Sequence, residues 1–323
     1  MFNFQPFFEK HHIEYVTRGP NVASGNINIQ CPFCAASDPS HHLGVSLETG
    51  KWGCWRRADH RGIKPHRLIR ALLRCSPAEA ATIAGTTGPE LGEFDNYVAS
   101  WFQDPEIIED AKILTLPREI QFLGDSGMSM RFISYLKGRG YDAQEIDELA
   151  IEYDLHYCLT GEWKDRLIFP VHSTRGLVSW TGRSIHPDEK IRYKSLSLEE
   201  SVLNIKHTLF NFVDLIGESR DTLVITEGPF DAMRVDYLGY EDDIRSTCLF
   251  GTSISEQQVL LLSEISSFYS RKVILFDNAT LDAALHVASE LSMLSVEVDM
   301  LPAGVDDPAE MSLSQVRALS KKN

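Results

Sequence analysis

The most constraining feature of the sequence is the run TLVITEGPFDA at residues 222–232. Its apolar, β-branched half, Leu223 to Thr226, predicts a buried strand, and Glu227 and Gly228 follow directly before an expected helix. In open α/β sheets, ligands bind in the crevice beyond the carboxyl ends of the strands, so a carboxylate at such an end is placed for chemistry. Glu227 is therefore the first candidate catalytic residue.

Two further apolar runs also end in acid. Residues 272–276 precede Asp277, and residues 296–301 lead into a segment that contains Asp306 and Asp307. Because parallel strands present their carboxyl ends at one edge of a sheet, these acids are expected to gather there, and carboxylate oxygens are the ligands that Mg²⁺ takes in proteins. A single acid after a strand is more often a turn residue, but three in succession favour a metal site.

These three elements resemble the Toprim domain shared by bacterial-type primases, topoisomerases and some nucleases. Glu227-Gly228 with Asp231 matches the first element of that family, whereas Ala279 stands where the second acid of its Asp-x-Asp belongs. The resemblance implies a Rossmann-like parallel sheet whose acids hold Mg²⁺ or Mn²⁺, and Asp282 is a candidate substitute for the missing acid. The candidate catalytic residues are Glu227, Asp231, Asp277, Asp282, Asp306 and Asp307, of which Glu227, Asp277, Asp306 and Asp307 are the candidate Mg²⁺ or Mn²⁺ ligands.

A second constraint lies near the N-terminus, in the pattern C-x2-C-x19-C-x5-H. Its spacing suits one tetrahedral structural zinc, and the alternating residues between its halves predict a small hairpin. The four candidate ligands are Cys31, Cys34, Cys54 and His60. His41 and His42 are alternatives for the fourth ligand, but both precede the first hairpin strand, and His60 is therefore favoured.

This pattern resembles the N-terminal zinc-binding domain of bacterial and bacteriophage primases, in which the last ligand is usually a Cys two residues after the third. The resemblance implies that basic side chains of the module help to select template sequence. Residues 1–75 carry 10 Lys and Arg against 5 Asp and Glu, although the whole chain has a net charge of −15, and this asymmetry suits a nucleic-acid-contacting module. The candidate contacts are Arg56, Arg57, Arg61, Lys64 and Arg67.

The middle of the chain predicts a helix pair and a basic hairpin. Residues 128–149 have two apolar helical patterns around a Gly-containing turn, and residues 166–184 form two β-rich runs joined by a short turn. Both blocks resemble the primase subdomain that precedes Toprim, which implies electrostatic contacts to single-stranded template and to nucleoside triphosphates. The candidate cations are Arg166, Arg183, Arg192, Lys194 and Lys206.

The sequence therefore predicts an α/β multidomain protein. It places a zinc-stabilised β module at 1–75, an acidic linker or helical connector at 76–125, an α+β subdomain with a basic hairpin at 126–214 and a Toprim-type domain at 215–323. The resemblance implies a DNA primase that makes short RNA primers on single-stranded DNA, with one structural zinc and catalytic Mg²⁺ or Mn²⁺. Two alternatives stay open: a Toprim nuclease and, because of Ala279, a degenerate protein that only binds nucleic acid or replisome partners.

Partners and location follow from patterns that the chain lacks. The sequence contains no G-x-x-x-x-G-K-[ST] motif, so a replicative helicase is expected as a separate partner. No run approaches the roughly 18 apolar residues that a membrane-spanning helix needs, and the first residues do not match a signal peptide. The expected location is the cytoplasm, of the bacterial host if a phage encodes the chain, with no membrane partner.

Overall fold

The protein is described here by a computed structural model covering residues 2–19, 21–34, 40–57, 60–62, 65–75, 80, 83–85, 114–124, 127–173, 176–216 and 220–320. Over these residues the chain divides into two compact units. The first is drawn from Met1–Ala111, Leu123–Asp154 and Thr174–Gly176, and the second from Lys112–Phe122, Leu155–Ser173 and Leu177–Asn323. Most of the predicted connector at 76–125 lies outside the described residues, and the predicted domain boundaries remain predictions.

The first unit contains a five-stranded antiparallel sheet in the order β1-β2-β3-β4-β5. Its strands are β1 Tyr15–Val16, β2 Asn26–Ile29, β3 Leu43–Ser46, β4 Trp52–Cys54 and β5 Arg61–Gly62. The expected hairpin is present as β3 and β4, in which Leu43 pairs with Cys54. Two helices, α1 Phe4–Lys10 and α2 Pro65–Leu73, bury Phe8 and Leu68 in the same apolar cluster as Ile29.

The predicted helix pair also belongs to this unit, as α3 Met130–Gly138 and α4 Ala143–Glu152. The start of α4 is fixed by a reciprocal cap. Asp142 accepts a hydrogen bond from the Glu145 backbone N–H at 2.9 Å, and the Glu145 carboxylate accepts one from the Asp142 N–H at 2.8 Å. A capping box of this kind satisfies two otherwise unpaired backbone donors and stabilises the helix by about 1 kcal/mol.

The second unit holds two sheets. One is five-stranded, in the order β10-β9-β8-β7-β6, with antiparallel pairing of β10 with β9, β8 with β7 and β7 with β6. Its strands are β6 Ile120–Phe122, β7 His156–Cys158, β8 Arg166–Ser173, β9 Gly176–Ser184 and β10 Tyr193–Ser195. Strands β8 and β9 are the predicted basic hairpin, and they are neighbours in the sheet.

The other sheet is parallel throughout, in the order β12-β11-β13-β14. Its strands are β11 Arg220–Thr226, β12 Ile244–Cys248, β13 Tyr269–Ile274 and β14 Glu297–Val298. The helices of this part of the chain are α5 Phe212–Leu215, α6 Pro229–Gly239, α7 Glu256–Ser266, α8 Leu281–Glu290 and α9 Leu313–Arg317. The predicted α/β class with a parallel sheet is confirmed.

The strand order of the parallel sheet creates a crevice. From β11 the chain passes through α6 to β12 on one side and then, through α7, to β13 on the other side of β11. The carboxyl ends of β11 and β13 therefore flank the point at which the strand order reverses, where open α/β sheets bind their ligands. No helix in the described parts of the chain has the length and apolar character needed to cross a bilayer.

Candidate functional site

The first candidate site is a cluster of three thiols and one imidazole in the first unit. Cys31 and Cys34 lie in a turn after β2, Cys54 ends β4, and His60 precedes β5. The ligand atoms of all four lie within 4.8 Å of one another. His60 Nδ1 is 3.5 Å from the Sγ atoms of both Cys31 and Cys34, and the Sγ atoms of Cys34 and Cys54 are 3.9 Å apart.

These spacings fit a tetrahedral zinc ion. With Zn–S bonds of about 2.3 Å and a Zn–N bond of about 2.0–2.1 Å, a regular tetrahedron separates two sulfurs by about 3.8 Å and a sulfur from the nitrogen by about 3.5 Å. Burial, reinforced by the neighbouring Cys54, raises the pKa of the Cys31 thiol. Buried thiolates need a cation close by, so the donor chemistry and the spacing both suit zinc.

The alternative fourth ligands lie elsewhere. His42 is buried, but its Nε2 is 2.9 Å from the Ser40 hydroxyl and its ring packs 5.0 Å from that of Trp55. Neither His41 nor His42 joins the group of metal-ligating atoms formed by the described residues. The structure thus brings together the four residues favoured by the spacing.

The second candidate site lies at the crevice of the parallel sheet, around Glu227 at the end of β11. Glu227 Oε1 accepts a hydrogen bond at 3.2 Å from the backbone N–H of Asp277, three residues after the last residue of β13, and is in contact with Thr280 Oγ1. Asp231, in the first turn of α6, accepts from the Gly228 N–H at 3.1 Å. The two strand ends are therefore joined through the Glu227 carboxylate.

Like charges at this edge perturb the acids. Burial raises the pKa of Asp231 to about 8, and the charges of Asp307 and Asp277 add to this effect. Burial also raises the pKa of Asp277 to about 6, with Glu227 and Asp307 contributing, while Arg183 opposes the shift. Arg183 offsets the acids only in part, so burial and like charges leave an edge at which a divalent cation would be favourable.

Further observations bear on whether these residues fit Mg²⁺ or Mn²⁺. The buried Asp307 Oδ1 has no hydrogen-bond partner among the described residues, so an oxygen ligand is available at this edge. Apart from the thiol cluster, no three acids, histidines or cysteines of the described ranges bring their ligand atoms within 4.8 Å of one another. A set of three acids that could bind one ion directly is therefore not preformed among the described residues, and Mg²⁺ or Mn²⁺ binding at this edge remains a prediction.

Two of the candidate acids are placed differently. Asp282 is exposed in the first turn of α8, and it is not among the charges that shift the pKa of Asp231 or Asp277. Asp306 is also exposed, and its backbone N–H lies 3.5 Å from the Glu310 carboxylate. Sequence reasoning overlooked Glu310, whose charge raises the pKa of Asp277, and Thr280, because no family pattern marks either one.

The candidate cations of the second unit fall into two groups. Arg166 and Lys206 donate to backbone carbonyls: Arg166 to those of Gly182, Ile191 and Arg192, and Lys206 to those of Leu249 and Ser253 at 3.0 Å. Burial lowers the pKa of both side chains. The other three lie on or beside β9 and β10: Arg183 stacks 4.8 Å from the Tyr193 ring, Lys194 pairs with Glu162 at 2.7 Å, and Arg192 is exposed.

The candidate cations of the zinc module are also divided. Arg56 and Arg61 are exposed and Arg57 is half-buried. Arg67 instead pairs with Glu152 of α4, with Nη2 2.8 Å from Oε1. Lys64 lies outside the described residues. None of these positions tests nucleic-acid binding, which remains a prediction.

The chain combines a Cys3His module, an antiparallel sheet and a parallel sheet with acids at its strand ends. Two solved structures are similar to it in fold. The zinc-binding and RNA polymerase domains of the Aquifex aeolicus primase match with a TM-score of 0.53 at 19% identity, over 98% of this chain and 82% of that one. The DnaG primase catalytic domain bound to ssDNA matches with a TM-score of 0.50 at 17% identity, over 62% and 72% of the two chains.

Sequence comparison agrees with the fold. No family model matches the chain. The DNA primase of Mycoplasma pneumoniae is 28% identical over 149 residues, which is 45% of this chain and 23% of that protein. The DNA primase of Staphylococcus epidermidis is 24% identical over 224 residues, which is 65% of this chain and 34% of that protein. The chain thus spans about a quarter to a third of the length of these relatives, and it is similar to DNA primases in sequence and to DnaG-type primase structures in fold.

Proposed function

We propose that the protein is a DNA primase, which synthesises short RNA primers on single-stranded DNA from nucleoside triphosphates. The observation that carries this proposal is the set of acids at the reversal of the parallel sheet, where Glu227 joins the ends of β11 and β13. Primer synthesis transfers a nucleotidyl group to a 3′-hydroxyl, and the charge that develops on phosphate oxygens must be balanced. The raised pKa values of Asp231 and Asp277 indicate an edge that favours added positive charge.

In this proposal the acids have different roles, which depend on where each one lies at the edge of the parallel sheet. Asp277, Asp307 and Glu227 would hold Mg²⁺ or Mn²⁺, which supplies Lewis-acid activation of the phosphate when bound. Glu227 is oriented by the Asp277 N–H and by contact with Thr280, so it can accept a proton from the attacking hydroxyl or bind the metal. Asp231 supports the set from the first turn of α6. Asp282 and Asp306 are exposed, and neither is assigned a direct role in metal binding or proton transfer in this proposal.

Nucleic acid and nucleotides need cationic side chains, and the two units offer different ones. Arg183 lies close enough to Asp277 to lower its pKa, so it is placed to contact a triphosphate held at the acids. Arg192 and Lys194 on or beside β10, together with Arg56, Arg57 and Arg61 of the zinc module, are proposed contacts for the single-stranded template. The DnaG catalytic domain that shares this fold was solved with ssDNA.

We further propose that the protein acts in the cytoplasm, of a bacterium or of the bacterial host of a phage, beside a separate replicative helicase. The zinc module would keep its structural ion during synthesis. The identity of the helicase does not affect the test of the catalytic proposal, because primer synthesis on a bare template requires only the enzyme, template, nucleotides and metal.

The proposal is tested by incubating the full zinc-loaded chain with single-stranded templates, labelled nucleoside triphosphates and Mg²⁺ or Mn²⁺. We expect short oligoribonucleotides. Glu227→Gln should lower their rate of synthesis by about 100-fold or more, because metal-assisted charge stabilisation contributes several kcal/mol. The matched control is Glu256→Gln, the same change at an exposed residue in the first turn of α7, which should leave the rate unaltered.

Three results would contradict the proposal. The absence of oligoribonucleotide on every template, from folded and zinc-loaded protein, would exclude primer synthesis by this chain. Undiminished synthesis by Glu227→Gln would show that the acids of the parallel sheet are not the catalytic site. Cleavage of the template in place of synthesis would assign the same acids to a nuclease.

A further inference from the structure

The imidazole of the zinc site is contacted on both of its nitrogens. His60 Nδ1 faces the thiols, 3.5 Å from Cys31 Sγ and Cys34 Sγ. His60 Nε2 contacts Glu148 Oε1, on α4, although Glu148 is 88 residues further along the chain. Both side chains are buried: His60 is 3% exposed and Glu148 is 8% exposed.

Zinc binding through Nδ1 would select one tautomer of this imidazole. With Nδ1 on the metal the ring hydrogen lies on Nε2, where the Glu148 carboxylate can accept it. Nδ1 then presents a lone pair towards the three thiols, which is the form of imidazole that binds zinc. In metal sites, a carboxylate on the second ring nitrogen fixes the tautomer and the ring orientation and makes the ligand more basic.

Glu148 is itself held in place. Gln144, one helical turn earlier on α4, donates from Nε2 to Glu148 Oε1 at 2.9 Å, and the same Nε2 lies 2.8 Å from His60 Nε2. Helix α4 is anchored to α2 by further contacts. Arg67 Nε donates to Glu152 at 3.1 Å, and Arg70 Nη2 donates to the carbonyl of Ile151 at 3.0 Å. The carboxylate is therefore presented from a fixed helix.

We propose that Glu148 is a positioning residue for the zinc site, which holds His60 with Nδ1 directed at the metal. The proposal accounts for the use of histidine as the fourth ligand. A cysteine sulfur bound to zinc has no ring nitrogen to donate to a carboxylate, whereas imidazole binds the metal through one nitrogen and α4 through the other. The zinc site is thereby completed by a helix that the C-x2-C-x19-C-x5-H pattern does not contain. This role of Glu148 does not depend on whether the chain makes primers.

The test measures the zinc affinity of the full chain by competition with a chromophoric chelator, together with the visible spectrum of the Co²⁺-substituted protein. Glu148→Ala should weaken zinc binding by about 10–100-fold, the usual cost of losing such a partner. Glu148→Gln should lose less zinc affinity than Glu148→Ala, because the amide oxygen of the glutamine can still accept a hydrogen bond from His60 Nε2. The control is Glu152→Ala, on the same helix, which removes the carboxylate that pairs with Arg67. It should weaken zinc binding far less than Glu148→Ala does, because the contact of Arg70 with the Ile151 carbonyl still holds α4.

Repeating the Glu148→Ala substitution in a His60→Cys variant distinguishes an effect on the orientation of His60 from a general effect on the packing of the fold. His60→Cys keeps four ligands, which the Co²⁺ spectrum reports as a change from three to four thiolates. In this background Glu148→Ala should no longer weaken zinc binding. Wild-type affinity in Glu148→Ala would overturn the proposal. So would an equal loss in Glu152→Ala or an equal loss in the His60→Cys background, since either would show that Glu148 acts only through packing.

Discussion

Replacement of Asp231 by Asn tests the electrostatics of the acid cluster directly. Burial and the charges of Asp307 and Asp277 raise the pKa of Asp231 to about 8, whereas an aspartate in an unfolded chain has a pKa of about 3.9. Between these values the folded protein holds a proton that the unfolded chain releases. The free energy of unfolding therefore falls as pH rises through this window, and the loss is complete above the folded-state pKa.

The size of the effect follows from the proton count. One additional proton in the folded state changes the free energy of unfolding by about 1.4 kcal/mol per pH unit. From pH 5 to pH 7 the difference stays close to one proton, because both pH values lie between the two pKa values. Asp231→Asn does not titrate, and its oxygen still accepts from the Gly228 N–H. Its stability relative to wild type should therefore increase by about 2.6 kcal/mol over this range.

Amide hydrogen exchange on β11 gives the required free energies. Wild type and Asp231→Asn are compared at the same pH without Mg²⁺, so the intrinsic exchange rates cancel and the difference reports stability of the parallel sheet. Asp277, whose pKa is raised to about 6, contributes to the pH dependence of stability in both proteins, so its contribution cancels in the comparison. Asp188→Asn, at an exposed acid, is the control and should follow wild type. A stability difference that does not change between pH 5 and pH 7 would show that Asp231 is ionised in the folded protein.

Two other substitutions probe the same unit. Thr280→Val removes the hydroxyl in contact with Glu227, and we expect primer synthesis to slow by about 5–30-fold, the equivalent of about 1–2 kcal/mol. Steady-state rates of synthesis measure this effect. Thr280→Ser, which keeps the hydroxyl, should retain the wild-type rate. Asp236→Ala leaves the buried Arg245, 1% exposed, without the carboxylate that it contacts at 2.8 Å, and should lower the free energy of unfolding by about 3–5 kcal/mol in urea titrations. Asp242→Ala, which breaks a more exposed pair with Arg317, should cost under about 1 kcal/mol, and equal losses in the two variants would contradict the argument.

Local patterns in the sequence predicted much of this architecture. The spacing of the three cysteines and His60 was sufficient to predict which four ligand atoms lie together, because a knuckle and a hairpin are short-range structures. The three apolar runs that end in acid were sufficient to predict a parallel sheet, and Glu227 and Asp277 follow two neighbouring strands of that sheet. In both cases the residues that matter lie at the ends of elements whose periodicity is visible in one chain.

Contacts between distant parts of the chain were beyond such reasoning. Lys206 and Arg166 have the charge expected of phosphate contacts, but both donate to backbone carbonyls in the structure. A basic residue looks the same in sequence whether it faces solvent or satisfies a carbonyl, because its partner is set by tertiary packing. Glu148 likewise carried no signal, since it lies in an ordinary amphipathic helix and meets His60 only after folding.

The two departures from the primase family pattern have a common physical explanation. At the zinc site, a histidine replaces the usual fourth cysteine, and its second nitrogen is contacted by Glu148. At the acid cluster, Ala279 is exposed and carries no carboxylate, yet the next residue, Thr280, contacts Glu227, and the charges of Asp307 and Glu310 act on Asp277. In each case a changed side chain is accompanied by a contact from elsewhere in the fold. The effect of the missing acid is therefore better judged from the surroundings of Asp277 than from the motif: burial, together with the charges of Glu227, Asp307 and Glu310, raises the pKa of Asp277 to about 6.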